Sequence, residues 1–375
     1  MEDLLEIIKK EIISEGMITF ERYVELALYH PLYGYYSSGN AAIGRAGDFY
    51  TSSQATGMYG RLMAEVYVKL SEISGPDFVE MGAGGGAFAG DFLSGLARFY
   101  PEAYEKCRYF IVETAPGMAG RQKTALSGFG DKIAWADGIE ALPGVEGVFF
   151  SNELVDALPF HRVRQEPGRL SEIYVGLEGG KLVEKTGILS TPELAMHFNR
   201  LMLVLPEGMT TEVNLRVSGW MNAIAGRLKK GFVITVDYGY PASEYYSASR
   251  PRGTALCHYR HSVNEDFFER VGEQDITAHV DFTALGLIGQ NAGLEAELFS
   301  EQGRFFSETL PWFEESMRQK GAQDELVQAG QGLKTLLHPE WLGGVFKALL
   351  QSKGCSPGGL FASVKNRVGE LFSDV

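Results

Sequence analysis

An α/β protein built around a mostly parallel sheet is the fold this chain predicts, on three observations. From about residue 76, short apolar runs alternate with helical stretches, the pattern of βαβ units. The run Phe78–Met81 leads directly into the glycine-rich loop Gly82-Ala83-Gly84-Gly85-Gly86, which opens a helix near Phe88–Phe99. Glycine is also abundant, 46 of 375 residues against a usual share near 7%, and it follows no fibrous period.

The elements follow in order. Leu5, Ile8 and Ile12 share one face of an opening helix, with Asp3 placed to cap it. A second helix follows Thr19, with Phe20, Tyr23, Val24, Ala27 and Leu28 on one stripe. It stops at His30-Pro31, because the residue before a proline is pushed out of the helical region. The glycine-studded stretch from Gly34 to Gly57 is too long for a plain connector and reads as functional. Strands are predicted at Phe78–Met81, Tyr109–Val112, Lys132–Trp135, Gly147–Ser151 and Phe232–Asp237, with two more at Glu295–Ser300 and Leu360–Lys365. Residues 162–216 alternate like short antiparallel strands and read as a β insertion. Residues 304–352 read as a helical insertion that buries Phe305, Trp312, Phe313, Leu326, Leu333, Leu336 and Leu337. Residues 1–75 then form an N-terminal helical region with a lid, and 76–375 form the interrupted core.

Composition excludes several classes. With 34 Lys+Arg against 48 Asp+Glu the net charge is −14, a poor match to a phosphate backbone, which needs clustered positive charge. Cys107, Cys257 and Cys355 lie far apart with no CxxC pair, which excludes a disulfide framework and a zinc ribbon and fits a reducing compartment. No stretch approaches the ~18 apolar residues of a membrane span. The acidic start Met1-Glu2-Asp3 has neither signal nor transit character, so a cytoplasmic protein is expected. Neither a GxSxG elbow nor a GxxxxGK[ST] loop occurs. Cys257-His258-Tyr259-Arg260-His261 lacks further ligands at metal spacing and reads as a loop near the substrate mouth.

The glycine loop admits two readings. Read loosely, it fits the dinucleotide fingerprint, which would make the chain an NAD-dependent oxidoreductase. Two acids argue otherwise. Glu80 at the strand end would repel a pyrophosphate but suits a ligand carrying an ammonium or sulfonium. The next candidate ribose acid, Glu113, lies 31 residues after Gly82 (113 − 82), against about 20 in the dinucleotide motif. An acid, a GxGxG loop and a second acid after the next strand is the arrangement of S-adenosylmethionine (SAM) methyltransferases. On that arrangement Glu80, Gly82, Gly84 and Glu113 are cofactor residues, with Asp137 after the third strand placed beside them. Asn152, Glu153 and Asp156 follow the fourth strand, whose carboxyl end is where open α/β sheets bind ligands. Two carboxylates three residues apart suit a guanidinium, a planar fork of donors, although a helix N-terminus explains acids there as readily. His279, beside Asp275 and Asp281, is a candidate proton acceptor or a hydrogen-bonded structural residue.

The chain resembles the MidA-type SAM-dependent methyltransferases over nearly its whole length, the family of the mitochondrial complex I assembly factor that methylates a protein arginine. The markers are His30-Pro31-Leu32-Tyr33-Gly34-Tyr35-Tyr36, Gly47-Asp48-Phe49-Tyr50-Thr51-Ser52, the Glu80–Gly86 loop, Ser151-Asn152-Glu153-Leu154-Val155-Asp156-Ala157-Leu158-Pro159, Asp237-Tyr238-Gly239 and Asp275–Phe282. It departs from the family pattern at Ser53-Gln54 and at Ala83, Gly85 and Ala87. The resemblance implies a class I, Rossmann-like methyltransferase core with SAM as cofactor and a protein arginine as acceptor, presented by a complex I subunit. It also implies a lid in which Gly47, Asp48, Thr51 and Ser52 cover the cofactor, and a clamp in which Asn152, Glu153 and Asp156 hold the acceptor. A non-catalytic assembly factor that binds SAM structurally is the alternative.

Overall fold

The computed structural model describes residues 3–38 and 57–373. The opening helix spans Leu4–Glu15, with the Asp3 carboxylate accepting from Glu6 N–H. After the short strand β1 (Ile18–Thr19) comes the second helix, Phe20–Tyr29, capped by Thr19 and ending before Pro31 as the sequence requires. The helix Tyr59–Ser74 leads into β2 (Asp77–Met81), β3 (Arg108–Val112), β4 (Ile133–Ala136) and β5 (Val145–Asn152). Next are β6 (His161–Glu166), β7 (Arg169–Glu178), β8 (Lys181–Gly187) and β9 (Thr210–Val213), followed by β10 (Leu228–Tyr240). The chain closes with β11 (Leu256–Tyr259), β12 (Ser262–Asn264), β13 (Asp275–Thr277), β14 (Val280–Asp281), β15 (Glu295–Glu301) and β16 (Phe346–Lys353).

The core sheet runs β15-β16-β10-β5-β2-β3-β4, with β14 added alongside β10. β2 to β5 and β10 are parallel neighbours, whereas β16 is antiparallel to both β10 and β15. Alternate side chains feed two cores, as a sheet covered on both faces demands. Phe78, Phe150, Phe232 and Ile234 pack with the helices Tyr59–Ser74 and Ala87–Phe99 and with the helical insertion. Val79, Phe149 and Val233 pack on the other face with the helices Arg216–Arg227 and Phe282–Asn291. The predicted β insertion is a second sheet, β1-β7-β6-β9 with β8 on β7, so the N-terminal strand completes it. The helix Tyr59–Ser74, placed by the sequence reading in the N-terminal region, lies on the core sheet.

Two expectations fail at the C-terminus. The predicted strand Leu360–Lys365 is a series of turns in which Phe361 and Val364 are buried. The last strand is instead Phe346–Lys353, inside the segment read as helical. The helical insertion therefore ends at Val345. Ala348, Leu349 and Leu350 are good helix formers, but between β10 and β15 they satisfy two ladders and both cores, and tertiary pairing overrides propensity. The segment read as a loop at Cys257–His261 begins as β11.

Candidate active site

The strand order turns back at β2, whose neighbours β3 and β5 lead to opposite edges, and ligands bind at the carboxyl ends of such a switch point. There the glycine loop leaves β2 with φ of +72° at Gly82, +50° at Gly84 and +85° at Gly86, conformations that glycine adopts without strain. A Cβ on Gly82 would stand 2.9 Å from Leu154 Cδ1, so this loop abuts the one that follows β5.

Between the two loops lies a cavity of about 400 Å³, within the range of small-molecule sites. Four carboxylates line it, Glu80, Glu113, Glu140 and Glu153, and among the described residues no Lys, Arg or His does. Glu80 is buried beneath the glycine loop, and the Tyr109 hydroxyl donates to it at 2.6 Å. Burial, with a smaller contribution from the charge of Glu113, pushes its pKa up to about 8 against the Tyr109 bond. Glu113 accepts from Ala115 N–H and from Gln122 Nε2, both at 2.9 Å. Gln122, fully buried, also donates to the Gly84 carbonyl at 3.0 Å and accepts from Trp135 Nε1 at 3.3 Å. One amide thus couples the second acid to the glycine loop.

On the opposite side, β5 ends at Asn152, and Glu153 takes φ of +51°, a left-handed conformation rare outside glycine. Its N–H donates to the Val236 carbonyl at 3.0 Å, and its Oε1 accepts from Asn152 Nδ2 at 2.8 Å. Tyr59 donates to Asn152 Oδ1 at 2.6 Å, which orients the amide. Strain of this kind persists only where its surroundings over-determine it, and the brace is Asp237. Asp237 Oδ2 accepts from the amides of Leu154, Val155 and Asp156 at 3.2, 2.9 and 3.3 Å, while Oδ1 accepts from Tyr238 N–H at 2.8 Å.

The structure brings together Glu80, Gly82, Gly84, Glu113, Asn152 and Glu153 around this cavity. Other expected residues lie elsewhere. Asp156 is buried behind the loop, not on the cavity wall, and its Oδ1 has no partner among the described residues. Burial, then the charges of Asp237, Asp275 and Glu153, raise its pKa well above the carboxylate range. Lying off the cavity wall, Asp156 does not supply the second carboxylate of a clamp there. No helix starts at these residues either, so the helix-terminus explanation for the acids falls as well. His279 lines a separate cavity of about 30 Å³ with Glu212 and Asp281, and its Nδ1 has no partner among the described residues. Burial, with Arg250 and Lys347 nearby, lowers its pKa to about 4, and it is not among the residues that line the candidate cavity. Asp137 is exposed and off the wall; its neighbours Gly138, Ile139 and Glu140 line the cavity instead. Gly47, Asp48, Thr51 and Ser52 lie outside the described residues. The sequence reading missed Gln122, Tyr29, Tyr59 and the bracing role of Asp237, and it used Tyr36 and Asp237 only as family markers.

Known proteins share this fold. A family model described as S-adenosyl-L-methionine-dependent methyltransferase matches residues 58–300. A crystal structure from Burkholderia thailandensis bound to S-adenosyl-homocysteine is 30% identical and superposes with a TM-score of 0.86, covering 97% of this chain and 95% of that one. A native crystal structure from the same organism is 28% identical with a TM-score of 0.83, covering 97% and 94%. Among curated relatives, the Caenorhabditis elegans "Protein arginine methyltransferase NDUFAF7 homolog, mitochondrial" is 26% identical over 73% of this chain and 68% of its own length. The Danio rerio "Protein arginine methyltransferase NDUFAF7, mitochondrial" is 25% identical over 75% and 71%. The dinucleotide reading of the glycine loop falls with these matches. The chain belongs to the MidA-type family of S-adenosylmethionine-dependent methyltransferases.

Proposed function

We propose that the chain transfers methyl groups from SAM to an arginine side chain of a protein. The observation that carries this reading is the cavity itself, with four carboxylates and no cation among its described lining residues. Such a site favours two positive groups, a sulfonium and a guanidinium. The relatives named as protein arginine methyltransferases support the same acceptor. By resemblance, the expected partner is a complex I subunit.

The residues present fit the cofactor. The glycine cradle admits close backbone approach, Glu113 is placed to accept from ribose hydroxyls, and Glu80 offsets cationic charge. When bound, SAM supplies an electrophilic methyl group on a sulfonium. The protein's part is then to hold and aim the acceptor. Glu153, oriented by Asn152 and Tyr59, pairs with the guanidinium and receives the proton that the acceptor nitrogen gives up as it takes the methyl group. Mass spectrometry of a purified arginine-bearing substrate after incubation with SAM tests the reading. Methylarginine is the expected product, whereas SAM binding without any product supports the non-catalytic assembly factor.

Two results are expected for the cofactor half. Gln122→Ala leaves the Gly84 carbonyl and one Glu113 oxygen without their donor, so SAM affinity is expected to fall about tenfold. Calorimetry showing less than a twofold change would remove Gln122 from the site. Glu80 gives a pH signature. Its pKa is raised in the empty protein, and a neighbouring cation favours its ionised form, so binding lowers that pKa and releases a proton. Affinity therefore rises with pH up to about 8 and levels off above it. Proton release, measured by calorimetry in buffers of different ionisation enthalpy, is expected to disappear in Glu80→Gln.

A further inference from the structure

Two tyrosines of the N-terminal segment, Tyr29 and Tyr36, line the same cavity as Glu153. Tyr29 ends the second helix, and the chain then doubles back so that Tyr36 lies against it, ring centroids 5.5 Å apart and planes 25° from parallel. The return is tight. Tyr35 and Tyr36 N–H groups donate to the carbonyls of Ala27 and Leu28, each at 2.9 Å, and a Cβ at Gly34 would stand 2.4 Å from His30 N. Both rings line the cavity and both are half-buried.

Their hydroxyls tie them to the acceptor side. Tyr29 donates to the Ala157 carbonyl at 2.9 Å, four residues after Glu153 on the same loop. Tyr36 donates to both carboxylate oxygens of Asp275 at 2.9 Å. The segment carrying Asp275 is itself bonded to that loop, Ala278 N–H to the Asp156 carbonyl at 3.0 Å. The aromatic pair and Glu153 are therefore held by one hydrogen-bonded frame.

A stacked aromatic pair and a carboxylate lining one cavity match the chemistry of one cation in particular. A guanidinium is planar, delocalised and weakly hydrated, and it stacks on rings while its edge pairs with a carboxylate. A lysine ammonium is a compact, strongly hydrated point charge that gains less from either contact. We infer that Tyr29 and Tyr36 form the acceptor wall, on which the substrate guanidinium stacks while Glu153 pairs its edge, and that this wall selects arginine over lysine. The inference rests on the arginine reading above.

The test uses the full-length protein, a short glycine-rich peptide carrying one arginine, and the same peptide carrying lysine. Tyr29→Leu and Tyr36→Leu are each expected to raise KM for the arginine peptide about tenfold and to narrow the preference over lysine, with SAM affinity within twofold of wild type. Tyr29→Phe and Tyr36→Phe keep the ring and lose the anchoring hydroxyl, so they fall between the leucine variants and wild type. Thermal melts establish that each variant is folded. Weakened SAM affinity with an unaltered arginine KM would move the pair to the cofactor side and overturn the proposal. Equal losses in the Leu and Phe variants would also overturn it, by assigning the effect to the anchors alone. If the wild-type protein methylates lysine but not arginine, the arginine reading itself fails.

Discussion

Glu153→Gln is expected to reduce methyl transfer by about 10²–10³-fold while SAM affinity stays within twofold. The substitution keeps the shape of the side chain and an oxygen for Asn152 Nδ2. It removes the negative charge, so a charge-assisted fork to the acceptor becomes a neutral contact, and it removes the base that receives the proton. Because the strained φ of +51° at this position is set by the backbone bond to Val236 and by the brace behind it, the loop itself is expected to persist. Single-turnover kinetics with an arginine peptide and calorimetry with SAM separate the two effects. Loss of SAM binding together with activity would place Glu153 at the cofactor, and retention of both would remove it from the chemistry.

The parts of this site that were legible in the sequence are those determined locally. Glu80, the glycines and Glu113 sit at strand ends that apolar runs announce, and the loop type follows from residues adjacent in the chain. The parallel strands were equally plain, since a strand buried on both faces is a short apolar run between polar loops. What stayed hidden depends on distant pairs. Tyr59 reaches Asn152 across 93 residues of chain, Asp237 reaches the 154–156 amides across more than 80, and Gln122 turns inward from a helix with little amphipathic pattern. Asp156 misled for the same reason. Spacing alone places it beside Glu153, but the turn after β5 directs Glu153 to the cavity and Asp156 into the interior. β16 was misread because Ala348-Leu349-Leu350 carries no period that distinguishes a fully buried strand from a helix.

The brace at Asp237 supports the largest effect on stability. Its carboxylate accepts four backbone N–H groups. Asp237→Ala buries those donors without partners, at roughly 1–3 kcal/mol for each that the loop cannot re-pair. A loss of roughly 3 kcal/mol or more is expected in denaturant unfolding, together with a fall in kcat as Glu153 loses its backing. Asp237→Asn retains one accepting oxygen but turns an amide N–H₂ toward other donors, so it falls between Ala and wild type. The pH dependence separates this role from simple packing. Burial raises the carboxyl pKa of Asp237 to about 7 against its four amide donors, and burial together with the charge of Asp237 raises that of Asp156 well above its ordinary value. The folded protein then binds more protons than the unfolded chain, so this pair contributes stability below the ordinary carboxylate pKa and loses it as pH rises toward neutrality. Without the Asp237 charge the pKa of Asp156 falls back, and the stability of the Ala variant is expected to depend less on pH between about 4 and 7. A variant that loses under 1 kcal/mol, or that keeps the wild-type pH slope, would show that the loop after β5 is held by its packing and not by the carboxylate.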